Sequence, residues 1–175
     1  MQIREMTNDE CLKFLAVKRP GRLACARDDQ PYIVPFHFGF DGHNYLYAFS
    51  TPGQKIEWMR TNPLVCIEID DIDHINDWTT IVIFGHYEEL LVTGPTSERT
   101  KAYDLLSQHP MWWQPGYAAG THPKQFGESE PIYFRIRITQ MTGHRALTEV
   151  IQGNQTSEHE TKQQGLWNKF WRAKK

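Results

Sequence analysis

Ser50, Thr51, Gly53 and Lys55 fall close together in the run YLYAFSTPGQKIEWMRTNP, which extends from Tyr45 to Pro63. Two hydroxyls, a residue without a side chain and an ammonium group, set where a helical pattern begins, are the groups that hold a phosphate. The first N–H groups of a helix have no intrahelical partner and carry the positive end of its dipole, so an anion is favoured there. Ser50 and Thr51 add hydroxyl donors, Gly53 permits close approach to the backbone, and Lys55 adds a full charge. The same letters also describe an ordinary capped turn with a solvated lysine, and local pattern alone leaves both readings open. A nucleotide-triphosphate loop is excluded, because no GxxxxGK[ST] run is present.

Other candidate chemistry is thinner. The eight histidines, His37, His43, His74, His86, His109, His122, His144 and His159, form no HxH, HExxH or other ligand spacing, which gives no metal site. His37, in mid-strand between Phe36 and Phe38, is a candidate substrate contact or a hydrogen-bonded barrel histidine. Trp112 and Trp113, in WWQPG, are candidates for a flat wall over a ligand, or for a packed aromatic loop. There is no GxSxG elbow, and no catalytic acid or base can be named.

These groups need elements to position them. Tyr45 to Phe49 is apolar as in a buried strand, Ser50 to Gly53 turns the chain, and Ile56, Met59 and Arg60 follow a helical period until Asn62-Pro63 stops it. Upstream, Asp9 to Val17 reads as a helix capped near Thr7, Arg22 to Ala26 as a strand, and Tyr32 to Phe40 as a second strand. Pro35 withholds an N–H from its ladder, so that strand lies on an edge or beside a ligand. Downstream, Leu64 to Ile69 and Trp78 to Glu88 read as strands separated by an acidic solvated loop, with Gly85 marking a bulge or bend. A helix from about Thr93 to Ser107 and a closing strand from Pro131 to Thr142 complete the pattern. Arg135 and Arg137 should point away from Phe134, Ile136 and Ile138. Six strands joined mostly by hairpin-length connections suit a mainly β (α+β) antiparallel barrel with peripheral helices.

The chain has 175 residues and a formal charge of −2, which suits one domain and offers no electrostatic footprint for nucleic acid. Residues 1–151 form the expected domain, and residues 152–175 a polar linker followed by a basic aromatic tail. Trp167, Phe170 and Trp171 of that tail share one helical face, suited to packing on a second copy or touching an anionic membrane surface. Cys11, Cys25 and Cys66 are odd in number and sit in apolar contexts, as expected of reduced thiols in a cytoplasmic protein. No signal peptide or membrane-spanning run is expected. The six Trp, seven Tyr and nine Phe favour a site for something flat, or an aromatic barrel core.

The ordered set GRLAC, PYIVPFHFGFDGHNYLYAFSTPGQKIEWMRTNPLVCIEID and WTTIVIFGHYEEL, with PIYFRIRITQMTGH as a closing strand, resembles the FMN-binding split-barrel family related to pyridoxamine 5′-phosphate oxidase. The likeness is strongest to its smaller flavin-nucleotide-binding branch, which includes nitroimidazole-resistance proteins. The resemblance implies a six-stranded split β-barrel and a homodimer with two FMN sites at the subunit interface. It places the isoalloxazine against Val34, Pro35, Phe36, Phe49 and Ser50. It places the phosphate at Ser50, Thr51, Gly53, Gln54 and Lys55, and completes the pocket with Trp78, Thr79 and Thr80 of the other chain. The implied activity is transfer of electrons from a reduced nicotinamide to a small acceptor. A non-catalytic flavin or haem module, with His37 as an axial ligand, is the alternative.

Overall fold

The computed structural model describes residues 1–18, 20–91, 96–108 and 131–147. Trp112, Trp113 and the tail from 152 to 175 lie outside the described residues, so the expectations placed on them go no further here.

The chain runs β1 (Gln2–Glu5), α1 (Asn8–Val17), β2 (Gly21–Arg27), β3 (Gln30–Phe36), β4 (Gly39–Phe40), β5 (Tyr45–Ser50), α2 (Gln54–Thr61), β6 (Leu64–His74), β7 (Asp77–Glu89), α3 (Thr96–Ser107) and β8 (Ile132–Leu147). Helix α1 starts where the sequence places it. The Thr7 hydroxyl accepts the Glu10 N–H at 3.3 Å, and the Glu10 carboxylate accepts the Thr7 N–H at 2.9 Å, which closes a capping box.

All strand pairs are antiparallel, and the order across the sheet is β3-β2-β6-β7-β8-β5-β4, with β1 added on β8. Strands β3 and β4 therefore sit at opposite edges, yet only His37 and Phe38 join them. Two residues span at most about 11 Å between flanking Cα atoms, so the edges must lie side by side. The sheet curls into a barrel that stays split there. The expected continuous strand from Tyr32 to Phe40 is thus wrong in one respect: it breaks at His37-Phe38. The reason shows in the burial, since Phe36, His37, Phe38 and Gly39 are all buried in succession. A strand with one solvated face buries alternate residues; a segment crossing from edge to edge buries consecutive ones.

Among the described residues eight strands replace the expected six. Strand β1 adds a short edge with no apolar alternation, and β4 arises from the break. The acidic stretch expected as a loop is instead a long hairpin: β6 runs to His74 and β7 starts at Asp77, with Asp70 opposite Thr80 and Asp71 opposite Thr79. Arg22 Nη1 binds Glu68 at 2.8 Å and Asp70 at 2.6 Å on the strand's outer face, and Lys18 binds Asp71, which alternates to the other face, at 2.5 Å, so neighbouring elements neutralise the strand's acids. Strand β8 continues five residues beyond the expected end. Gly85 does mark a bulge, whose extra residue is Thr139 on β8, and a Cβ at Gly85 would come within 2.4 Å of Ile136 Cγ2.

The core fills the inside of this curl. Leu23, Ile67, Ile69, Ile81, Ile83, Phe134 and Ile136 are fully buried, and α2 adds Ile56, Trp58 and Met59 from one face. Helix α3 packs on the outside of β4, β5 and β8. A Cβ at Gly39 would stand 2.7 Å from Leu105 Cβ, so only glycine allows the helix this close. Arg135 and Arg137 project outward from β8 as expected, both onto Glu88.

Candidate functional site

Helix α2 is the element around which the candidate residues gather. Strand β5 delivers the chain to Ser50, whose hydroxyl donates to the Thr51 carbonyl at 2.9 Å and tightens the turn. Gly53 is the N-cap and among the described residues no side chain caps the helix, so its first N–H groups lack a capping acceptor. The backbone at Gly53 is extended, which any residue adopts. What the glycine supplies is space: among the described residues nothing lies within 4 Å of where a Cβ would stand. At the far end Asn62 locks the helix to the sheet, donating to the Ala26 carbonyl at 3.1 Å and accepting the Leu64 N–H at 3.3 Å.

Lys55 sits at the first turn of this helix, half-buried beside Cys25 of β2. Burial pushes its ammonium below the ordinary lysine range, because the charge has lost solvent without gaining a counter-charge; the Cys25 thiol opposes this weakly. Among the described residues no hydrogen bond or ion pair holds the Lys55 ammonium. Cys25 in turn is buried, and desolvation pushes its thiol up. An uncapped helix start, an open cradle at Gly53 and a desolvated cation are the features a phosphate group completes.

The ring-binding candidates divide. Val34 is half-buried against the core and Pro35 is exposed on β3, which the topology makes an edge strand. Phe36 turns its ring into the core, 5.4 Å from Phe38 and 6.2 Å from Phe134. Phe134 is next to Tyr133, whose ring stands 5.8 Å from Phe49. Phe134 is opposite Ala48 of β5, so the end of β3 meets β5 through the core; Val34 and Pro35 lie on β3, and Phe49, Ser50, Thr51, Gly53, Gln54 and Lys55 run from the end of β5 into α2. His37 is 6% exposed, in the crossing between β3 and β4.

Trp78, Thr79 and Thr80 lie elsewhere in the protomer. Cys25, beside Lys55, is opposite Val65, whereas Thr80 and Trp78 are opposite Asp70 and Ile72. That separation is five to seven residues of β6, roughly 17–24 Å at about 3.4 Å per residue. One chain does not bring the two groups together.

One cluster escaped sequence reasoning. Arg22 is paired with Pro35 on one side and Glu68 on the other, and Thr80 Oγ1 donates to Glu68 Oε1 at 3.1 Å. Pro35, Arg22, Glu68 and Thr80 thereby form a strip over β3, β2, β6 and β7 on the outer face. Glu68 and Asp70 lie two apart, as one strand face requires, which was the available signal; their neighbours Asp71 and Asp73 masked it.

The sequence profile of the family described as pyridoxamine 5′-phosphate oxidase matches residues 7–145, and the chain belongs to that family. An uncharacterised protein of Rhizobium meliloti strain 1021 is 43% identical over 147 residues, covering 83% of this chain and 97% of its own. Among solved structures, a FAD-binding protein from Mesorhizobium loti is 39% identical, with a TM-score of 0.69 over 83% of this chain and 99% of that one. A 5-nitroimidazole antibiotic resistance protein from Bacteroides thetaiotaomicron shares the fold at 18% identity, with a TM-score of 0.59 over 83% of this chain and 89% of that one. The split-barrel architecture and the resemblance seen in the sequence are both upheld. Among the described residues no helix is long and apolar enough to cross a membrane.

Proposed function

We propose that this chain is an FMN-binding flavoprotein that passes electrons from a reduced nicotinamide to a small acceptor. The observation that carries the flavin-phosphate reading is Lys55, a desolvated cation with no counter-charge among the described residues, beside an uncapped helix start. The FAD-binding description of the Mesorhizobium loti protein supports the same class of ligand. Bound flavin supplies the two-electron chemistry, so the protein's own task is position and electrostatics. Ser50, Thr51, Gly53, Gln54 and Lys55 would hold the phosphate. Val34, Pro35 and Phe49 would border the ring.

The site is proposed to need two copies of the chain. Ile33, Ala24, Cys66 and Phe84 are lateral neighbours on the outer face, with Ile33 61% and Phe84 46% exposed, and Leu64 lies on the same face. A two-fold pairing on this face is self-complementary, exchanging the Pro35 side of one protomer with the Thr80 side of the other. That arrangement would add Trp78, Thr79 and Thr80 to the Lys55 half, which one protomer leaves apart.

The test is the absorbance spectrum of the purified protein, mass identification of the released ligand, and light scattering for the molar mass. A flavin spectrum that bleaches with NADH or NADPH, FMN in the released fraction and a dimeric mass are the expected results. A colourless protein that gains no flavin absorbance on adding FMN overturns the reading.

A further inference from the structure

The outer-face strip contains a hydrogen bond whose direction is fixed by chemistry. Glu68 is ion-paired with Arg22, and its carboxylate oxygens can only accept. Oε2 takes Arg22 Nη1 at 2.8 Å and Oε1 takes the Thr80 hydroxyl at 3.1 Å, so Thr80 must spend its one proton on Glu68. Its oxygen is left with acceptor capacity only. The carboxylate that imposes this is itself clamped, because the same Arg22 nitrogen also binds Asp70 at 2.6 Å.

Oxidised isoalloxazine presents several acceptors at its polar edge, N1, O2, O4 and N5, and a single donor, N3–H. A hydroxyl that can only accept discriminates among these positions. We propose that Glu68 is a positioning residue that sets Thr80 as an acceptor for the flavin N3–H, fixing which edge of the ring the β7 side of the site receives. The inference rests on the flavin reading, with β7 contributed by the partner protomer. It applies equally to FMN and FAD, which share the ring.

The experiment measures binding of FMN and of N3-methyl-FMN to the full-length wild type, Thr80→Val, Thr80→Ser and Glu68→Gln, by flavin fluorescence. Methylation removes the N3–H and changes nothing at the phosphate. Wild type should favour FMN by about tenfold, the effect of leaving one acceptor unsatisfied. Thr80→Ser should keep that preference and Thr80→Val should lose it. Glu68→Gln should lower the preference, because its amide NH₂ can donate to Thr80 and release the hydroxyl proton to point outward. A purely structural role for Glu68 would weaken both flavins by the same factor and leave their ratio unchanged, which overturns the proposal. Equal binding of the two flavins by wild type also overturns it. Binding of neither flavin by wild type would remove the flavin reading itself, an outcome distinct from loss of discrimination.

Discussion

Two cationic regions of this protein are handled in opposite ways. On the outer face under α3, Arg135 Nε binds Glu88 and its Nη1 binds Glu98, each at 2.7 Å, while its guanidinium lies 4.3 Å from the centre of the Tyr45 ring. Tyr47 donates to Glu98 at 3.1 Å, and Lys101 binds Asp41 at 3.3 Å. Burial would raise the Glu88 carboxyl, but hydrogen bonds from Arg135 and Arg137 outweigh it and hold the carboxyl below its ordinary range. At the start of α2 the fold does the reverse: it takes solvent from Lys55 and, among the described residues, supplies no acid. A cation neutralised from within serves the fold, whereas one desolvated without compensation is a cost to the fold that an anionic ligand can offset.

The largest break in this contrast should come from Arg135→Met. Side-chain exposure there is 24%, so the loss falls short of a fully buried pair, but it leaves Glu88 with Arg137 and Glu98 with the Tyr47 hydroxyl after each has lost its 2.7 Å ion pair. Urea denaturation should show about 2–3 kcal/mol of destabilisation. Arg60→Met is the milder version. Arg60 binds Glu89 through two hydrogen bonds of 2.7 Å, and Tyr87 donates to the same carboxylate, but the arginine is half exposed. Its loss should cost about 1 kcal/mol by the same measurement.

A smaller, pH-dependent effect belongs to Glu10 at the start of α1. Hydrogen bonds from Arg4 and from the Thr7 backbone pull its carboxyl from 4.5 to about 2. Since the folded value is the lower one, the contribution is present above about pH 4.5 and is lost as pH falls towards 2. Glu10→Gln should flatten that part of the melting temperature against pH profile. Lys55→Met completes the series. Its removal relieves a desolvated charge, so the ligand-free protein should melt at or slightly above the wild-type temperature. A clear loss of stability would mean that Lys55 serves the fold after all.

Much of this was legible in sequence because strand, turn and helix signals around Tyr45 to Pro63 agree at every level. The apolar strand, the turn from Ser50 and the stop at Asn62-Pro63 appear within a residue or two of their expected places. Failures arose where tertiary partners override local composition. Nothing local in Glu68 to Asp77 predicts a hairpin, because Arg22 and Lys18, which make its charges tolerable, come from β2 and the end of α1. The crossing at His37-Phe38 hides because continuous hydrophobicity reads alike in a buried strand and in a passage between sheet edges. For the site, residue types revealed Lys55, but its lack of a counter-charge is a property of the fold. The separation of Trp78, Thr79 and Thr80 from Lys55 likewise needs the ladder register.

The direct test of Lys55 as the phosphate ligand is to compare FMN with riboflavin, which lacks the phosphate, in wild type and Lys55→Met. Equilibrium binding should show FMN bound more tightly than riboflavin by wild type. Lys55→Met should cost FMN about 1–3 kcal/mol, the range for a charge-assisted hydrogen bond, and leave riboflavin unchanged. FMN affinity unaltered by Lys55→Met, or an equal loss for both flavins, would contradict the assignment.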